Sequence, residues 1–143
     1  MKWSSFGIEE ETKCNQPGVY RIRLFNGNTP VTIRRLQGAD AEGMLAIGQS
    51  KNIERRRKDF LGSLKGKRRH SEGMQWRLVK LFSNKLDNLR FDFVKTNSKK
   101  AKKMEDTELR EYFKKHLELP PLNGVMPNRK KWIHELFKNH AFT

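Results

Sequence analysis

The sequence predicts an α+β fold in which a small three-stranded antiparallel sheet is flanked by helices and followed by a C-terminal helix. Three observations carry that prediction. Stretches of period-two alternation cluster in the first third of the chain and return near residue 90, longer stretches after residue 50 carry apolar residues at helical spacing, and Gly, Asn and Pro separate the two kinds.

Residues 1–16 are polar and acidic without sustained periodicity and read as an N-terminal tail, with Trp3 and Phe6 available for local packing. In PGVYRIRLF, Val19, Arg21 and Arg23 alternate with Tyr20, Ile22 and Leu24, which is the period of a strand. NGN, residues 26–28, is a hairpin turn because Asn and Gly tolerate positive φ. PVTIRRL, residues 30–36, is the expected partner strand, QGADAEG, residues 37–43, a loop, and MLAIG, residues 44–48, a third and more buried strand.

Ser50 and Asn52 both fit a helix N-cap, after which Ile53, Phe60 and Leu64 share one helical face. GKRRHSEG, residues 66–73, interrupts the pattern, and Met74, Trp76, Leu78, Val79, Leu81 and Phe82 mark a second helix. LRFDFVK, residues 89–95, alternates as a further strand. Residues 98–119 form a charged helix that PPLNG, residues 120–124, stops, and residues 128–139 form a short amphipathic helix with Trp132, Ile133, Leu136 and Phe137 inward. The domain therefore spans residues 17–124, with residues 125–143 as a C-terminal helical extension.

The chain of 143 residues carries 31 Lys and Arg against 16 Asp and Glu, a net charge of +15. Such a balance favours a polyanion, because each phosphate neutralised by Lys or Arg releases a condensed counterion. Nucleic acid, DNA or RNA, is the expected partner, with a solubility-driven or ribosome-associated basic surface as the alternative. The opening MKWSSFGIEEETK lacks the apolar stretch of a signal peptide, and apolar runs are only a few residues long, so a cytoplasmic protein without a membrane partner is expected. Cys14, the single cysteine, suits a reducing compartment. Its isolation from the four scattered histidines excludes the usual zinc spacings, and neither a phosphate-binding Gly-Lys-Ser/Thr loop nor Gly-x-Ser-x-Gly is present.

Two helical projections pick out the residues of interest. On the charged helix, Ala101, Leu109, Tyr112, Phe113 and His116 define an apolar arc with Glu105 near its centre, Glu108 at its margin and Glu111 facing away. A carboxylate on a packed face needs a cation, a hydrogen-bond network or a metal; alternatively it is a wet acid favoured by the helix dipole near the helix start. On the earlier helix, Arg57 falls beside the apolar arc with its head reaching water, Arg56 lies on the edge, and Arg55 faces solvent. The three are otherwise read together as a solvated basic face.

GVY at residues 18–20, AIG at 46–48, and QSKNIERR with Arg56 eight residues after Gly48 resemble the GIY-YIG nucleases. The later family signature is similar to Ala101, Met104, Glu105, Leu109, Tyr112 and, after ELPPL, Asn123. The resemblance extends over residues 17–123. It implies a DNA endonuclease that hydrolyses phosphodiester bonds with one Mg2+ or Mn2+ ion. Glu105 would be the metal ligand, Arg56 the phosphate clamp and Tyr20 the tyrosine that activates water, with His70 and Asn123 in support. Lys51, Arg55, Arg57, Lys67, Arg68 and Arg69 would then contact nucleic acid, in a monomer or a dimer. Ala46 stands where the family carries a second tyrosine, and Phe60 where many members carry histidine. The alternative is a nucleic-acid-binding module without catalysis on a degenerate scaffold of this type.

Overall fold

The alternation predicted for residues 19–24 sends two sets of side chains to opposite faces of a sheet. A computed structural model describes residues 2–65 and 86–123. Its main strands are β1 (Ser4–Gly7), β2 (Gly18–Asn26), β6 (Met44–Ser50) and β7 (Leu89–Lys95). Three two-residue strands, β3 (Thr29–Pro30), β4 (Ile33–Arg34) and β5 (Ala39–Asp40), lie between β2 and β6 in the chain. The helices are α1 (Ile53–Leu64) and α2 (Ser98–His116).

β2 is central, pairing antiparallel with β7 on one edge and β6 on the other, while β1 extends the sheet beyond β7. The α+β class holds, but the sheet is wider than three strands. Residues 4–7, expected in a tail, are a sheet strand because Phe6 stacks on Phe93 at 5.8 Å and Ile8 is fully buried in the core. Residues 30–36 are not the expected full partner of β2. Only Thr29–Pro30 pairs with Phe25–Asn26 across a turn in which Gly27 has φ +63°; Pro30 has no N–H to extend the ladder, and β6 takes the edge.

Register aligns the two motif strands. Tyr20 faces Gly48 and Ile22 faces Ala46, after which a bulge takes the pairing from Ala46 to Met44 opposite Arg23. Tyr20, Ile22, Ala46 and Phe91 therefore share one face, where Ile53, Phe60 and Leu64 of α1 close the larger core. Met44 and Ile47 turn to the other face and pack against Leu109, Tyr112 and Phe113 of α2. Asn52 caps α1 by accepting from the Arg55 amide, and Ser50 Oγ accepts from the Asn52 amide. The helices predicted within residues 74–82 and 128–139 lie outside the described residues.

Candidate active site around Tyr20 and Arg56

Tyr20 lies flat over Gly48, with its ring stacked on Phe91 at 5.5 Å and 13°. A Cβ at position 48 would meet the phenol at Cζ, 2.5 Å away, and would be closer still to Oη, so the cross-strand partner of Tyr20 must be glycine. Arg56, in the first turn of α1, reaches back over the ring with Cζ 4.9 Å from its centroid and donates from Nε to Tyr20 Oη at 2.8 Å. Both are buried, Tyr20 to 1% exposure and Arg56 to 7%. Tyr112, the other tyrosine, is on the opposite face: it donates to Asp40 Oδ2 at 2.8 Å, and burial first, then this carboxylate, hold its phenol well above the usual range.

The adjacent arginines have separate fates. Arg55 is exposed, as projected. Arg57 does not reach water. Its guanidinium is buried, bonded to both Glu54 oxygens at 3.0 and 2.6 Å and to the Ile8 carbonyl at 2.7 Å. This removes Arg57 from the predicted nucleic-acid contacts, since its donors are turned into the protein. Glu54 also accepts from the Thr12 amide and hydroxyl, each at 2.8 Å. Burial raises its pKa, but the hydrogen bonds from Arg57 and Thr12 outweigh burial and lower it to about 2.

Glu105 is half-buried on α2. The apolar arc beside it is as projected, with Ala101, Leu109, Tyr112, Phe113 and His116 buried and Glu111 exposed. Burial raises the pKa of Glu108, partly offset by the Arg21 charge. α2 packs on the face of the sheet opposite Tyr20, but both helices start from one end. Gly18 pairs with Ser50, where β6 ends just before α1, and with Lys95, where β7 ends just before α2. Arg56 thus lies in the first turn of α1 and Glu105 two turns into α2, on helices that leave a shared sheet end on its two faces. Among the described residues, no three His, Cys, Asp or Glu side chains converge on a common point.

The chain matches no family model, no curated protein and no solved structure.

Ala46 is fully buried between Ile22 and the α1 core, two residues along the same face from Gly48. Asn123 closes the outer edge of β6: its Oδ1 accepts from the Ile47 amide at 3.0 Å and its Nδ2 donates to the Ile47 carbonyl at 2.8 Å. Lys51 is exposed at the start of the α1 cap. His70, Lys67, Arg68 and Arg69 lie outside the described residues. The sequence projection missed Asp92, which is fully buried, accepts from Arg21 at 2.7 Å and from Arg23 at 2.6 Å, and sits on the face opposite Tyr20. Its signal was an acidic residue between Phe91 and Phe93 in an alternating strand, matched by arginines at alternate positions of β2.

Proposed function

We propose that the protein is a metal-dependent DNA endonuclease of the GIY-YIG type, hydrolysing phosphodiester bonds. One observation carries the reading: the tyrosine of GVY and the arginine eight residues after the AIG glycine are hydrogen-bonded at 2.8 Å directly over that glycine. Chance alternation in two strands and a basic helix has no reason to join these three positions.

Arg56 is the phosphate contact. A guanidinium binds phosphate as a planar fork, and the bond from Nε to Tyr20 Oη fixes the plane of that fork. Tyr20 has its oxygen engaged by Arg56 Nε and is buried, so its part is to position the guanidinium. Glu105 would be the single carboxylate that holds one Mg2+ or Mn2+ ion, since Mg2+ keeps most of its waters and takes further oxygens from substrate phosphates. Such an ion, when bound, supplies positive charge against the phosphate and a more acidic water.

The test is nicking of supercoiled plasmid with Mg2+ or Mn2+. Nicking is expected, and should be lost with EDTA and in Glu105→Ala and Arg56→Ala. Tyr20→Phe should slow the reaction while leaving its pH profile in place, whereas a water-activating phenol would take one limb of the profile with it. The second reading, binding without cleavage, is favoured by Ala46, which offers neither a donor nor a base inside the core. Protein that binds DNA and leaves plasmid intact in both metals would establish it.

A further inference from the structure

On the sheet face opposite Tyr20, α2 covers the β2 and β6 half through Met44 and Ile47. Over β7 and β1 the same face presents Arg21, Arg23 and Arg90, which register places on neighbouring strands around Asp92. Asp92 Oδ2 takes the Nε of both Arg21 and Arg23, so one buried carboxylate orients two guanidinium groups through the same atom. Each is stacked on an aromatic ring, Arg21 at 4.3 Å from the Trp3 centroid and Arg23 at 4.8 Å from that of Phe25. Arg90 donates to Ser5 Oγ from Nε and Nη2, at 3.3 and 3.2 Å. Arg23, Phe25, Arg90 and Ser5 line a cleft of about 280 Å3.

This is not the pattern of a stability-driven ion pair. Asp92 takes the Nε atoms of Arg21 and Arg23, so these bonds do not occupy their terminal Nη groups, and Glu108 of α2 adds a second carboxylate charge near Arg21. Fixed guanidinium planes alternating with aromatic rings on a partly exposed sheet face suit a flexible polyanion that also carries flat bases.

We propose that this face, formed by Arg21, Arg23, Arg90, Trp3 and Phe25 over Asp92, binds a single-stranded segment of nucleic acid. It is separate from the Tyr20–Arg56 site, and it rests on the reading above only in taking nucleic acid as the partner. A strand displaced or left unpaired near the scissile bond would be held on the far side of the sheet, with phosphates on the arginine forks and bases against the rings.

The experiment is fluorescence anisotropy of a labelled oligothymidylate with the full chain in EDTA, so that cleavage plays no part. The double variant R23Q/D92N removes one fork together with the carboxylate that orients it, and leaves the net charge of the protein unchanged. Binding should weaken about tenfold, the loss of one charge-assisted contact. A generic basic surface, which responds to net charge, predicts no change, and binding within twofold of wild type would overturn the proposal. A second variant, F25A/R90A, leaves Asp92 and its two partners in place and serves if the first fails to fold. It should weaken binding and lower the salt slope by about 0.7, and unchanged affinity and slope would equally overturn the proposal. Loss of binding in these variants from a wild type that never nicks plasmid would sink the endonuclease reading alone. Nicking that persists beside unaltered oligothymidylate binding would sink this one alone.

Discussion

Replacing Gly48 by alanine tests whether the Tyr20–Arg56 contact is as tightly built as the distances imply. The new Cβ would stand 2.5 Å from Cζ and 2.9 Å from Cε1 of Tyr20. Ordinary carbon contacts are about 3.5–4.0 Å, so the phenol must move by roughly 1 Å. Phe91 is stacked against the ring and the side chain is fully enclosed, so there is no open side to move into. Overpacking of this kind costs about 1–3 kcal/mol, and a displaced Oη also loses the bond from a charged donor, about 1.5–3 kcal/mol. Gly48→Ala is therefore expected to lose about 2.5–6 kcal/mol, read from urea unfolding midpoints. In a Tyr20→Phe background the hydrogen bond is already missing and the same substitution should cost only the packing share, leaving a coupling of about 1.5–3 kcal/mol in the double-mutant cycle. A single variant within about 0.5 kcal/mol of wild type, or strict additivity in the cycle, would refute the reasoning.

The Glu54 carboxylate sits at a pKa of about 2 in the folded chain against 4.5 for the free group. Its contribution, on the order of 3 kcal/mol, is present above pH 4.5 and is lost as pH falls towards 2, so acid titration should show that loss in wild type and a flatter curve in Glu54→Gln. Glu108, whose pKa is raised chiefly by burial, works the other way: its ionisation opposes folding at neutral pH, and Glu108→Gln should raise the melting temperature at pH 7 more than at pH 4. Asn123→Ala leaves both polar groups of Ile47 without their side-chain partner, and should cost about 1–3 kcal/mol in chemical denaturation without changing the pH profile of any cleavage. Ala46→Tyr inserts a phenol into a fully buried position and should destabilise by about 1–3 kcal/mol or more in the same assay.

The strands at residues 44–48 and 89–95 and the arc on α2 were legible because each runs long enough for its period to show. β1 was not, since four residues of which two are serine and one glycine give no period, and only Phe93 and the Ile8 pocket supply a reason to pair. The arginine run was divided correctly at Arg55 and wrongly at Arg57. Helical projection reads a residue against its own helix, whereas the fate of Arg57 was decided by a carboxylate one turn earlier together with the carbonyl of Ile8. Asp92 was hidden for the same reason, because its partners sit on β2, about seventy residues away in the chain. The alignment of GVY with AIG lay half in view: the motifs suggested adjacency, but the facing of Tyr20 and Gly48 depends on a bulge that no period marks.

The central position of β2 has a consequence for the order in which this protein can be made. β6 follows it within the first fifty residues, but its other neighbour, β7, begins at Leu89. On a ribosome, a chain with β2, β6 and α1 already synthesised has one strand edge unpaired, and Arg21 and Arg23 repel each other with no carboxylate between them. Translation of Asp92 removes both faults together, since the same strand fills the edge and supplies the counter-charge. Nascent chains stalled before residue 89 should therefore be the ones that chaperones hold.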